Sequence, residues 1–342
     1  MKIETVRIPS QIKSIRVIDA NLKPLDTELD KLDFDFRWCA FAEPLPLLYL
    51  ASRIRQFKSN NPGVETSVIL PKNPDKPFLG YARHIGFFDL IGVPEGRKVG
   101  EAWTSDTFFP ITSWDIEATR KDAGTRPVAE KVDDFSADMA KVLMHTEKGD
   151  VFDMVQYGIR EIVRNSMEHS KGSECIFLGQ YWPQTGEAEI VALDNGVGIS
   201  ETLWDNEYVD FSNNLAGLKL SLFPGISGVS RDERVNQDSY WGNSGFGLYI
   251  LSKLFGEFGE FNLLSNNDWI RLSKGRQFNY SCNFSGTAVS VRFPTNALEK
   301  AKRELPGIIK NGEKLRSELM KDYPVQASTA SKMLRSQFKK LN

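Results

Sequence analysis

Leu193-Asp194-Asn195-Gly196-Val197-Gly198-Ile199 is the stretch on which the reading of this chain turns. The run before it, Ala188 to Leu193, is short and apolar and predicts a strand. The strand ends on an aspartate, and the chain then bends at once through two glycines. Glycine allows the backbone to approach a flat ligand closely. A carboxylate in such a cleft accepts a hydrogen bond from an exocyclic amine of the kind adenine carries. A site built around that bond rejects bases that lack the donor. Taken alone, Asp-Asn-Gly is equally the composition of an ordinary turn.

Two other stretches bear on the same chemistry. Upstream, Glu161-Ile162-Val163-Arg164-Asn165-Ser166-Met167-Glu168-His169 closes a helical run expected over Val151 to His169, with Asp150 as its N-cap. Residues four apart share a helix face, so Glu161, Asn165 and His169 form one polar stripe, while Ile162, Val163 and Met167 point elsewhere. Asparagine offers a neutral oxygen to Mg²⁺, which prefers oxygen ligands, and glutamate can take a proton from an attacking water. By itself the stripe is also what a solvated helix face looks like. Downstream, Gly242-Asn243-Ser244-Gly245-Phe246-Gly247-Leu248 leads into a helix expected over Phe246 to Phe255. Glycine-rich backbone at a helix N-terminus presents N–H groups to phosphates. The spacing is neither that of a P-loop nor that of a dinucleotide-binding fingerprint.

Around these stretches the chain reads as α/β. Phe34 to Phe41 and Val64 to Leu70 are strand-like, Pro44 and Pro46 open a helix that continues over Leu47 to Phe57, and Leu79 to Ile85 reads as a further helix. Residues 92–125 carry glycine, proline and charge together with Trp103, Phe108, Phe109 and Trp114, and are expected to be a connecting segment packed on a domain. A long helix begins at Val128. Strands follow over Glu174 to Tyr181 and Ala188 to Leu193, then a hairpin about Lys274-Gly275, and a last strand in which Thr287, Val289, Val291 and Phe293 alternate with Ala288, Ser290 and Arg292. From Glu299 onward there are eleven Lys/Arg and five Asp/Glu, a basic helical extension read as either a solvated surface or a docking or nucleic-acid face.

Composition bounds the function classes. At 342 residues the chain has room for about two domains. With 41% hydrophobic and 26% charged residues it is neither disordered nor collagen-like, and 43 basic against 45 acidic residues argue against a wholly basic nucleic-acid binder. Cys39, Cys175 and Cys282 are far apart and lack metal-binding spacing, which predicts reduced thiols. No apolar run has the roughly 18 residues that span a bilayer and no signal peptide opens the chain, so the expectation is a soluble cytoplasmic protein without a membrane partner.

Together and in this order, Glu161-x-x-x-Asn165, Asp194-x-Gly196-x-Gly198 and Gly242-x-x-Gly245-x-Gly247-Leu248, with Gly286-Thr287 before the last strand, resemble the GHKL superfamily of ATPases, the group of gyrases, heat-shock chaperones, mismatch-repair ATPases and histidine kinases. The resemblance covers residues 128–295. It implies a Bergerat-type α/β sandwich, a mixed and largely antiparallel sheet with helices on one face, and ATP and Mg²⁺ as cofactors. By the same resemblance Asp194 and Thr287 bind adenine, Gly196 and Gly198 shape that pocket, Asn165 holds Mg²⁺, Gly245, Phe246, Gly247 and Leu248 belong to the phosphate cradle, and Glu161 is the catalytic base. The stretch of about 199–244 would be the ATP lid. His169 stands where relatives carry His or an aromatic residue, and is read as either a packing residue or a phosphate contact.

The N-terminal part resembles, more weakly, a STAS-like α/β domain, the fold of anti-sigma-factor antagonists, through its strand, proline-capped helix and strand and through Tyr81-Ala82-Arg83-His84-Ile85-Gly86-Phe87-Phe88. Where those antagonists carry a phosphorylatable serine, this chain reads Ala42-Glu43-Pro44-Leu45, with no hydroxyl. The expected organisation is therefore residues 1–125, a STAS-like domain and its connecting segment; 126–296, the GHKL domain; and 297–342, the basic extension. Of His84, His145 and His169 none has the setting of a phospho-acceptor histidine, which argues against an autophosphorylating kinase. The expected function is a bacterial ATP-hydrolysing regulatory switch that binds ATP/ADP and closes its lid onto a homodimer or protein partner. The alternatives are a serine/threonine kinase of the anti-sigma-factor type and a non-enzymatic nucleotide-binding module.

Overall fold

Period-two alternation in Thr287 to Phe293 and helical periodicity before it build a mixed α/β chain. The structure is a computed structural model, and it describes residues 2–22, 29–121, 128–204, 212–228 and 245–319. Of the expected lid, residues 205–211 and 229–244, with Gly242, Asn243 and Ser244 among them, lie outside those residues, as does the end of the basic extension. Two units divide the chain: Met1–Thr104 with Phe109–Ser113 and Cys282–Phe284, and Ser105–Phe108 with Trp114–Ser281 and Ser285–Asn342.

In the first unit β1 (Ile3–Arg7), β3 (Lys31–Asp35) and β5 (Glu65–Ile69) form a parallel sheet in that order, and β2 (Gln11–Ile12) pairs in parallel with β4 (Phe41–Ala42). Its helices are α1 (Ile15–Asn21), α2 (Pro44–Asn60), α3 (Pro77–His84) and α4 (Phe87–Leu90). Proline opens α2, where its missing N–H costs nothing, and Leu47, Leu50, Ile54 and Phe57 are buried along one stripe. The single strand expected over Phe34 to Phe41 is broken. Asp35 Oδ1 accepts the Arg37 N–H at 3.0 Å, and its other oxygen pairs with the Arg37 guanidinium at 2.8 Å, which turns the chain after β3. Phe36, just past that strand, is buried among Phe78, Phe87 and Phe88, with ring centroids 5.8–6.2 Å away.

In sequence order the remaining elements are β6 (Phe108–Asp115), α5 (Ile116–Lys121), α6 (Val128–Met144), α7 (Asp150–His169), β7 (Glu174–Trp182), β8 (Glu187–Asp194), α8 (Ile199–Leu203), α9 (Asn214–Leu220), α10 (Gly247–Phe258), β9 (Glu260–Ser265), β10 (Asp268–Ser273), β11 (Arg276–Ser281), β12 (Thr287–Pro294) and α11 (Leu298–Leu319). Seven strands form one sheet in the order β11-β10-β9-β12-β8-β7-β6, antiparallel from β11 through to β7. At the far edge, Tyr181 N–H bonds to Thr107 O and Ile116 N–H to Ser173 O, the antiparallel sense again. Residues 92–125, expected as a connecting segment, thus contain a strand and a helix. The strand was hidden because Phe108, Phe109, Ile111 and Trp114 do not alternate with period two.

Register places Phe177, Leu272 and Phe293 on one face of the sheet, and each meets a helix or its neighbours. Phe177 packs with Phe135 of α6 and with Trp114, Phe293 packs with Phe255 of α10, and Gly256 of α10 leaves room for Leu272. Gly149, at φ 106°, takes the N-cap position expected of Asp150; Asp150 and Asp153 instead occupy the first turn of α7 and complement its dipole. The basic extension is not a solvated helix over 298–319. Leu298, Ala301, Leu305 and Ile309 recur at helical spacing and are buried, the last two in one cluster with Tyr157, Phe246, Tyr249 and Ile250. No described helix is long and apolar enough to cross a membrane.

Replacing Phe177 by Ala removes the ring shared by Trp114 and Phe135. It is expected to destabilise the second unit by about 3–5 kcal/mol in urea unfolding followed by tryptophan fluorescence.

Candidate functional site

Asp194 is the last residue of β8, and the antiparallel register sets it directly opposite Thr287, the first residue of β12, and Cys175 of β7. It is 2% exposed. Its Oδ1 accepts two backbone N–H bonds, from Gly196 at 2.9 Å and Thr287 at 3.2 Å. Both donors go to one oxygen, so the other is the one available to a ligand. Burial pushes the carboxyl up to about 7, against the pull of those two N–H groups.

The glycines beside it have distinct structural reasons. Gly196 lies against the Ser170 backbone so closely that a Cβ there would collide with the Ser170 carbonyl, and it is not part of the pocket wall. Gly198, at φ +87°, is pressed on Asn266. That asparagine gives Nδ2 to Val197 O at 2.6 Å and accepts the Gly286 N–H at 3.3 Å, while Ser265 Oγ accepts the Ile199 N–H at 2.9 Å. Asn214, at the head of α9, gives Nδ2 to Ser265 O at 2.8 Å, to Asn266 O at 3.0 Å and to Asp268 Oδ2 at 2.8 Å. The two described ends of the 205–211 segment are thereby tied to the β9–β10 turn. Sequence reasoning missed Ser265, Asn266 and Asn214. The available signal was Asn266-Asn267 between two strands, both with positive φ (44° and 75°), where asparagine is tolerated.

A cleft whose free space, open solvent included, is about 720 Å³ opens on this aspartate. Glu161, Asn165 and His169 of α7 form one wall, each about 6 Å further along the helix axis than the last. Asp194, Gly198 and Thr287 stand in the same cavity, with Gly245, Gly247 and Leu248 at the head of α10. Ile199, Leu203, Ile226 and Val289 add apolar surface that no motif had marked. Phe246, expected in the cradle, is instead fully buried in the cluster beneath α11, so its side chain anchors the turn and does not line the pocket.

Two features of the α7 wall bear on chemistry. Glu161 is 6% exposed; its Oε1 lies 3.3 Å from Arg160 Nη2, and a Cβ on Gly247 would run into its Oε2. A side chain at 247 would therefore have to displace that carboxylate from its place. Asn165 Nδ2 is buried and has no hydrogen-bond partner. Such a group carries a desolvation penalty of about 1–3 kcal/mol unless something polar meets it. His169 is partly exposed, with Nε2 3.8 Å from Glu168 Oε2. Arg160, which the sequence had not singled out, also lies 4.0 Å from Asp133 and over the Tyr157 ring at 5.1 Å.

No protein-family model matches the chain, and no curated protein matches its sequence.

The raised Asp194 pKa has a sign that can be measured. Between about pH 4 and pH 7 the unfolded chain has released this proton and the folded chain has kept it, so the group's contribution to stability falls as pH rises through that window. Asp194→Asn keeps an acceptor for both N–H donors and removes the titration. In thermal unfolding, the Tm of the variant minus that of the parent should grow from pH 5 to pH 8; a constant difference would remove the buried-carboxyl account.

Proposed function

We propose that the second unit is a Bergerat-type adenine-nucleotide domain of the GHKL kind, and that the chain works as a Mg²⁺-dependent, ATP-binding and slowly ATP-hydrolysing regulatory switch. One observation supports this reading above the others. Side chains from Glu161 to Thr287, far apart in sequence, share one cavity in which a buried carboxylate stands with an unsatisfied amide and a glycine-rich helix head.

Each residue has a defined task under this reading. Asp194 accepts a hydrogen bond from the adenine amine, beside Thr287. The apolar side chains Ile199, Leu203 and Val289 suit a flat ring. The backbone at Gly245 and Gly247, at the start of the twelve-residue helix α10, offers N–H groups and a positive dipole end to phosphates. Glu161 takes a proton from an attacking water. Among the described residues no group of three or more His, Cys, Asp and Glu could hold a metal, so Mg²⁺ would be held by Asn165 together with the ligand's own oxygens. Asn165 Oδ1 would be the atom toward the ion, and the orphaned Nδ2, a donor, would give its hydrogen bond to an oxygen of the same ligand. Bound there, Mg²⁺ screens the phosphate charge. Nucleotide seated between Asn165 and Ile226 to Gly228 would close the lid and create a surface for a second copy of the chain or another protein.

Titration calorimetry should detect ATP and ADP binding with Mg²⁺ present; no heat with either nucleotide on folded protein would overturn the reading. Glu161→Gln is nearly isosteric beside Gly247. It is expected to slow phosphate release by about 10²–10⁴-fold while nucleotide affinity stays within a few fold. Transfer of label from ATP to a protein hydroxyl, without free phosphate, would convert the switch into a protein kinase.

A further inference from the structure

Behind the head of α10 lies a buried cation that no sequence motif marked. Arg316 is on α11 and is 3% exposed. It continues the stripe of Ala301, Leu305, Ile309 and Gly312 that faces α10, so an arginine stands where the periodicity would place an apolar residue.

Three contacts fix its place. Gly312 admits α11 close to α10: a Cβ there would come within 2.5 Å of Tyr249 Cε1 and 3.1 Å of Phe246 Cε1. Tyr249 Oη donates to Ile308 O at 3.2 Å and pins the helix register. One turn beyond Gly312, the Arg316 guanidinium lies on the backbone of Gly225, where a Cβ would collide with Nη1 and where φ is +84°. Gly225 in turn is stacked on the glycine turn. Its N–H donates to Gly245 O at 2.9 Å, and a Cβ on Gly245 would lie 2.6 Å from Gly225 C and 2.7 Å from Ile226 O. The layers therefore run Arg316, Gly225, Gly245 and then the cavity, whose wall includes Ile226, Ser227 and Gly245.

We propose that Arg316 is a positioning residue for the anionic end of the ligand, acting through the two glycines. It holds residues 225–228 against the glycine turn and places a positive charge behind backbone donors, where little water screens it. The inference rests on the adenine-nucleotide reading and deepens it. A charge at that place acts on each phosphate, so it favours a triphosphate over a diphosphate and leaves the nucleoside untouched. It also makes α11 part of the site, so a displacement of that helix would be felt as a change in phosphate affinity.

The test compares the β,γ-imido analogue of ATP, ADP and adenosine by calorimetry with Mg²⁺, on the full chain and on Arg316→Gln, Arg316→Lys and Gly225→Ala, each checked by thermal unfolding. Arg316→Gln should weaken the ATP analogue about tenfold, ADP less, and adenosine hardly at all, and Arg316→Lys should recover most of the loss. Should the glutamine variant not fold, Gly225→Ala displaces the guanidinium and is expected to give the same order of losses. Equal losses for all three ligands would mean a purely structural role, and no loss for any would mean no role; either result overturns the proposal while the nucleotide reading stands. A parent chain that binds none of the three overturns both.

Discussion

The geometry of the cavity depends on one buried carboxylate. Asp194 lies on the helix-facing side of the sheet, at the end of β8, with its Oδ1 held by the Gly196 and Thr287 N–H groups. Two neutral donors do not fully offset the loss of water, and its pKa is pushed up accordingly. The surrounding chain is shaped to keep it there. Gly286, at φ +97°, and Gly196 both occur where a side chain would strike neighbouring backbone, and Asn266 ties the Asp194 turn to the turn between β9 and β10. A polar group this deeply buried holds position only where its surroundings are over-determined, and here the register of three strands and two asparagine side chains supply that.

The opposite wall is held by different means. α7 presents Glu161, Asn165 and His169 by helical geometry alone, but what each can do is decided by neighbours. Glu161 has a cationic side chain on one oxygen and a glycine on the other. Asn165 has a buried amide nitrogen without a partner. The head of α10 is positioned from behind, by Phe246 in the core and by the α11 helix packed through Gly312. The site therefore draws on the core of the second unit at both ends.

Much of this was legible in the amino-acid order. The strand into Asp194, the glycine turn, the helix carrying the polar stripe and the alternation of β12 are local patterns, and local patterns survive translation into structure. The strand β6 was not legible, because its aromatics do not keep to one face. Nor was the break after β3, which a single aspartate–arginine contact imposes. The C-terminal helix read as a solvated basic surface because charge dominates its composition. Its buried stripe is only one residue in three or four, and whether such a stripe finds a partner depends on what lies opposite.

By itself the sequence determined the secondary-structure types around the cavity, the three motif segments and the residue kinds each would present, since propensity, periodicity and glycine placement act over a few neighbours. Only the tertiary structure decided that Asp194 faces Thr287, that Gly247 sits on the Glu161 carboxylate and that Arg316 lies behind Gly225. Strand register and helix packing join residues tens to more than a hundred positions apart, and no short-range rule carries that information.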